Sequence, residues 1–191
     1  MLYVIFRSLL NAIYAVLFRL EPKGLHNIPS SGAVILASNH ISNFDPPTIG
    51  VKVERQVLFM AKEELFRIPV FGSLITSFGA FPVKRGGVSK EAIKSAITFL
   101  KEDKMLAIFP EGSRSHTGAA KKGAAMIALR GGGLIVPVAI VGTYKPFRKM
   151  YVCYGEPIDL AARMEDFEGD QLERATEIIM DGIHKTAKQY G

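Results

Sequence analysis

An α/β fold, with a largely parallel or mixed central sheet covered by helices, is what this sequence predicts, on three observations. Apolar runs of strand length recur at residues 33–37, 57–60, 105–109 and 134–141 without polar interruption, the pattern of strands buried on both faces. Segments of helical periodicity alternate with them, as the crossovers of a parallel sheet require. Three of the apolar runs, counting a short one before Lys84, break off directly into polar residues that carry chemistry. In open α/β sheets ligands bind beyond the carboxyl ends of the strands.

The chain opens with residues 1–20, helical in length and almost free of breakers. Between Arg7 and Arg19 the charge-free stretch is 11 residues, against the ~20 needed to cross a bilayer. At about 100° per residue Arg7, Ser8, Asn11 and Arg19 share one arc, and Leu, Ile, Phe, Val and Tyr fill the rest. The pattern fits a helix lying in the membrane interface with its arginines snorkelling to lipid phosphates. It also fits a helix docked on the protein's own core. The first is the expectation: residues 1–20 as a membrane-associating helix and 21–191 as a single domain. No small-x-small cleavage pattern for a signal peptide follows.

Residues 21–32, with Pro22, Gly24, Pro29 and Gly32, read as a connector. The strand 33–37 then runs into Ser38-Asn39-His40-Ile41-Ser42-Asn43-Phe44-Asp45-Pro46-Pro47. His40 and Asp45 stand five positions apart on a strand-to-helix turn that the Pro pair helps to open. Folded back, the turn lets Asp45 accept the Nδ1 proton of His40 and leaves Nε2 free to take another. The same residues also suit a loop-end histidine and an N-capping aspartate. A short helix over 48–53, a strand over 57–60 and a Gly-interrupted apolar helix over 69–78 follow, the last against membrane or core.

Lys84 and Arg85 come next, with Gly86 and Gly87 behind them. Two cations beside glycines suit a phosphate, although a surface Lys-Arg pair is commonly just solvated. Ser89 looks like the N-cap of an amphipathic helix through Asp103, with Ala92, Ile93, Ala96, Ile97, Phe99 and Leu100 inward. The strand 105–109 ends in Pro110-Glu111-Gly112-Ser113-Arg114, either a cleft lining or an ordinary polar loop. A small-residue helix over 121–130 stops at Gly131-Gly132-Gly133. Pro137 places part of the strand 134–141 at an edge or bulge. A strand over 151–154 holds Cys153, and the tail forms a helix with a capping box, Asp170-x-x-Glu173, and an inward face of Leu172, Ala175, Ile179, Gly182 and Ile183.

Composition narrows the function classes. Of 191 residues 48% are hydrophobic and mean hydropathy is +0.19, on the apolar side for a globular chain. One cysteine permits no internal disulfide. Residues 1–155 carry 20 Lys/Arg against 9 Asp/Glu, and residues 156–191 carry 4 against 9. A basic body points to an anionic partner, a phospholipid surface or a phosphorylated substrate. No zinc spacing, aromatic ribonucleoprotein signature or basic-region helix supports nucleic acid. The four histidines are too scattered for a metal triad, and there is no Gly-x-Ser-x-Gly elbow to supply a nucleophile. A base, a carboxylate and cations on one rim suit proton removal from a hydroxyl of a phosphate-bearing molecule.

Asn39-His40-x4-Asp45, Gly79-x-Phe81-x3-Arg85, Phe109-Pro110-Glu111-Gly112-Ser113-Arg114-Ser115 and Val136-Pro137-Val138 resemble, in order and spacing, the four motifs of the glycerolipid acyltransferase family. The likeness is to its bacterial 1-acylglycerol-3-phosphate acyltransferases. Ile41, where glutamine is common, and Pro82, inside the second motif, depart from the pattern. The resemblance implies transfer of an acyl group from a thioester, acyl-CoA or acyl-carrier protein, to the free hydroxyl of lysophosphatidic acid. It implies no cofactor beyond that co-substrate. It makes His40 the general base and Asp45 its orienter. Arg85, Glu111, Gly112, Ser113 and Arg114 would bind the glycerol phosphate, with Lys84 an extra contact. It also implies peripheral or monotopic attachment to the cytoplasmic face of the cell membrane, with anionic lipid as partner.

Overall fold

The structure is a computed structural model, and it describes residues 2–83, 90–111 and 122–190. Seven strands form one sheet: β1 (Leu20–Lys23), β2 (Val34–Ser38), β3 (Val57–Lys62), β4 (Ala80–Val83), β5 (Met105–Ile108), β6 (Leu134–Val141) and β7 (Met150–Tyr154). Their order is β1-β7-β6-β2-β5-β3-β4. Among these seven strands only β6 and β7 pair antiparallel, as a hairpin. The sheet is therefore mixed, with β6, β2, β5, β3 and β4 pointing one way. This is the expected α/β class.

Alternation along the central strands builds two cores. In β2, Val34 and Leu36 face one side while Ile35 and Ala37 face the other, and all four are fully buried. One face is covered by α1 (Leu2–Leu17) and α2 (Asp45–Gly50). The other is covered by α5 (Lys90–Lys101), α6 (Lys122–Gly131), α7 (Leu160–Met164) and α8 (Gln171–Tyr190). Two short helices, α3 (Glu63–Phe66) and α4 (Phe71–Ser77), link β3 to β4. The α6–β6 turn depends on Gly133, at φ +94°, where a Cβ would lie 2.6 Å from the Ala33 carbonyl oxygen. Asp170 caps α8 by accepting the Glu173 amide at 3.1 Å, and Ala175, Ile179 and Ile183 are buried as their spacing predicts. Cys153 is fully buried, its thiol pushed up to about 11 by that burial, in keeping with a core role.

Four expectations are corrected. Residues 21–32 are more than a connector: Leu20–Lys23 is an edge strand parallel to β7, and Leu25–Asn27 is a 3-10 turn. The helix after the His/Asp turn starts at Asp45 itself and ends by Gly50. Pro137 lies in a central strand, in register with Ala37. It sits where the named β7 pairing ends at Tyr154, and its carbonyl still accepts the Gly155 amide at 2.8 Å, so one of its two backbone groups on that side is paired.

The fourth concerns α1, which ends at Leu17 and does not send Arg7 outward to lipid phosphates. Arg7 turns inward and donates to the Val53 carbonyl, and the Asn11 Oδ1 atom is buried. Tyr14 and Phe18 enter the core. The outward face is apolar: Val4, Ile5, Leu9, Ile13 and Val16 are exposed. Ile68, Val70 and Phe71, ahead of and opening α4, are exposed as well. No helix among the described residues is long and apolar enough to cross a membrane.

Candidate active site

β2, β5 and β4 are parallel, so their carboxyl ends share one rim. The chain leaves them at Asn39, Phe109 and Lys84. These are the crossovers on which the sequence places its candidate residues.

The exit from β2 is locked by Asn39. Its side-chain oxygen accepts the Ile140 amide at 2.8 Å and its nitrogen donates to the Ile140 carbonyl at 3.0 Å. The side-chain amide thus replaces one more rung of the β2–β6 ladder. The chain then turns back on itself, and the Asp45 amide donates to the Ser42 carbonyl at 3.2 Å.

Asp45 is fully buried and is the centre of the turn. Its Oδ2 accepts His40 Nδ1 at 2.7 Å, the Ile41 amide at 2.6 Å and the Ser42 amide at 2.7 Å. Its Oδ1 accepts the Tyr144 hydroxyl at 2.7 Å. Four donors for one carboxylate meet its acceptor capacity, which is what a buried charge requires. The bond to Nδ1 fixes the imidazole tautomer and leaves Nε2 as the free basic atom. His40 keeps 19% of its side chain exposed, against none for Asp45. The pair therefore presents a base with a shielded orienting charge behind it.

The imidazole is held from a second direction. Its ring stacks on Phe109, with centroids 4.2 Å apart and planes inclined by 23°. Behind Asp45 an aromatic cluster closes the turn. Phe18 meets Tyr14 and Tyr144 edge-on, each at 5.4 Å, and Phe44 lies 5.6 Å from Tyr144. Tyr14 donates to the Phe44 carbonyl at 3.1 Å. Burial, and to a lesser degree the Asp45 charge, push the Tyr144 phenol far above its ordinary range, so it stays a donor at every working pH. Burial likewise pushes Tyr14 up to about 12.

Of the expected site residues, His40 and Asp45 are brought together. Glu111 stands at the rim beyond β5, and its Oε2 atom is buried with no hydrogen-bond partner among the described residues. Lys84, Arg85, Gly112, Ser113 and Arg114 lie outside the described residues, as does the Ser89 cap. Sequence reasoning missed Tyr144, which is 99 positions from Asp45 in the chain and carries no local signal. It also missed what Asn39 and Phe109 do, although both sit inside recognised motifs.

The sequence model of a family described as Acyltransferase matches residues 19–141. The 1-acyl-sn-glycerol-3-phosphate acyltransferase of Bacillus subtilis (strain 168) is 34% identical over 164 residues, covering 82% of each chain. The enzyme of the same name from Streptococcus pneumoniae is 39% identical over 66% of this chain, which spans 50% of that protein. The one from Borreliella burgdorferi is 30% identical over 85% of this chain and 69% of its own. The crystal structure of the 1-acyl-sn-glycerophosphate (LPA) acyltransferase from Thermotoga maritima superposes with a TM-score of 0.66 at 29% identity, over 87% of this chain and 71% of that one. A histidine–carboxylate pair at a strand end, in a region matched by that family over well over half the chain, leads to one conclusion: this chain belongs to the acyltransferase family.

Proposed function

We propose that the protein transfers a fatty acyl group from a thioester, acyl-CoA or acyl-carrier protein, to the free hydroxyl of lysophosphatidic acid, forming phosphatidic acid. The observation that carries the reading is the 2.7 Å bond from His40 Nδ1 to the buried Asp45 carboxylate. His40 Nε2 takes the hydroxyl proton as the alcohol oxygen attacks the thioester carbonyl. The tetrahedral intermediate collapses with cleavage of the C–S bond, and the departing sulfur takes that proton from the imidazolium. Asp45 remains a carboxylate throughout and stabilises the transient imidazolium. Direct attack by an activated alcohol needs no covalent enzyme intermediate, which fits a sequence without a Gly-x-Ser-x-Gly elbow.

The acceptor phosphate falls to Arg85, Gly112, Ser113 and Arg114, with Lys84 an added cation, because these follow the two strands that share the His40 rim. Glu111 suits a hydroxyl or a cation rather than the phosphate, since like charges repel. The outward apolar face of α1 rests on the bilayer, on the cytoplasmic side, with the rim open to lipid.

Purified protein given lysophosphatidic acid and each thioester donor in turn tests this. Acceptor-dependent thiol release with phosphatidic acid as product is expected. His40→Ala should lower the rate by at least 10²–10⁴-fold, the typical contribution of a positioned base, with the fold intact by circular dichroism (roughly this range). Near-normal transfer by that variant would overturn the dyad, and acceptor-independent thiol release would make the protein a thioesterase.

A further inference from the structure

The β6–β7 hairpin has a tip that nothing in the acyl-transfer scheme uses. Residues 145–149 read Lys-Pro-Phe-Arg-Lys, and every one of them is exposed. Phe147 leaves 68% of its surface open and sits at φ +63°, a left-handed conformation that aromatic residues rarely adopt. Its amide donates to the Leu17 carbonyl at 2.6 Å, which ties the tip to the last turn of α1. Val16, one residue from that carbonyl, is 69% exposed and belongs to the outward apolar face of the helix. The exposed ring is therefore carried on a segment tied to the end of the helix that bears the apolar face. Around it stand Lys145, Arg148 and, just past α1, Arg19, all exposed. Lys149 is held by Glu21 at 2.8 Å.

We propose that this tip is a second bilayer contact, with Phe147 entering the headgroup–acyl boundary and Lys145, Arg148 and Arg19 meeting anionic lipid headgroups. It rests on the reading of α1 as a membrane-facing helix. An aromatic ring flanked by cations is the composition of an interfacial anchor: the ring gains from leaving water and each cation gains from the negative surface potential. An acidic protein such as an acyl carrier would also match the cations. The backbone bond that ties Phe147 to the last turn of α1, beside the exposed Val16, favours lipid. The same hairpin supplies Tyr144, which donates to Asp45 at 2.7 Å. The lipid contact and the dyad's orienting bond thus lie three residues apart on one loop.

The chain has no tryptophan, so Phe147→Trp in the full-length protein introduces a single reporter at the tip. On vesicles of phosphatidylcholine mixed with phosphatidylglycerol, its emission should shift to the blue and be quenched by brominated acyl chains. Lys145→Gln with Arg148→Gln in that background should weaken vesicle partitioning roughly tenfold or more at low salt, with little change on phosphatidylcholine alone. Sedimentation with vesicles without an emission shift would overturn the hairpin contact and leave the α1 reading standing. No sedimentation at all would overturn both. A shift on adding an acidic acyl-carrier protein, and none with vesicles, would replace lipid by the donor protein as the partner of this surface.

Discussion

Tyr144 shows how much of the setting of the proposed base is fixed by side chains around its carboxylate partner. It gives Asp45 one of four donors, and the only one on Oδ1 among the described residues. Tyr144→Phe leaves that oxygen buried without a donor while keeping the ring in its aromatic cluster. The carboxylate then leans harder on the imidazole proton. The expected outcome is a fall in kcat of about ten- to a hundredfold, from the ~1.5–3 kcal/mol typical of a hydrogen bond to a charged group. The loss should fall in kcat, with the KM values for acceptor and thioester little changed. A role confined to packing would lower the thermal midpoint and leave kcat of the folded protein unchanged. At this scale the sequence was half legible. His40 and Asp45 can be read because they stand five positions apart between a strand end and a Pro pair. Tyr144 cannot, because only the folded sheet brings the end of β6 beneath that turn.

Between strands, Asn39 has a role that its place in a motif does not reveal. It holds both backbone groups of Ile140, a residue only 3% exposed. Asn39→Ala leaves a buried N–H and a buried C=O without partners. It should cost about 2–6 kcal/mol, at ~1–3 kcal/mol per orphaned group. A urea melt reads this as a lower midpoint at unchanged slope. The helix α1 teaches the opposite lesson about legibility. Periodicity correctly grouped Arg7 and Asn11 on one side, since angular position follows from spacing alone. It did not say which side faces the protein. That was decided by a bare carbonyl at Val53 within reach of Arg7, and by Tyr14 and Phe18 finding aromatic partners. Edge strand β1 was hidden for a related reason: Pro22 and Gly24 look like turn residues, yet a proline is acceptable on an outermost strand.

Across the whole molecule, the strand runs and their helical spacers were plain in the sequence, and the mixed sheet follows from them. The order of strands was not, since no local pattern states that β2 lies between β6 and β5. Burial of phenols gives the fold a shared alkaline liability. Tyr3, Tyr14, Tyr144 and Tyr154 all have raised values, with burial the leading cause. A group whose folded value lies above its unfolded value stabilises fully below the latter and loses that contribution as pH rises through the former. Stability should therefore hold up to about pH 10, the ordinary tyrosine value, and decline toward pH 12. Absorbance at the phenolate band should show some of the six tyrosines ionising only as the fold is lost. Simultaneous, reversible ionisation of all of them at the ordinary value, with structure retained, would contradict the burial described.

The inward face of α1 has a practical cost for anyone wishing to handle the protein without detergent. Clipping off a greasy amino terminus is the usual remedy for poor solubility. Here the cut would also take away Tyr14 and Phe18, the wall against which the Phe44 and Tyr144 segments lean. A shortened chain that stays in solution but makes no product would be a damaged enzyme, not a detached one. The milder route is to exchange Val4, Ile5, Leu9 and Val16 for polar side chains and leave the backbone whole.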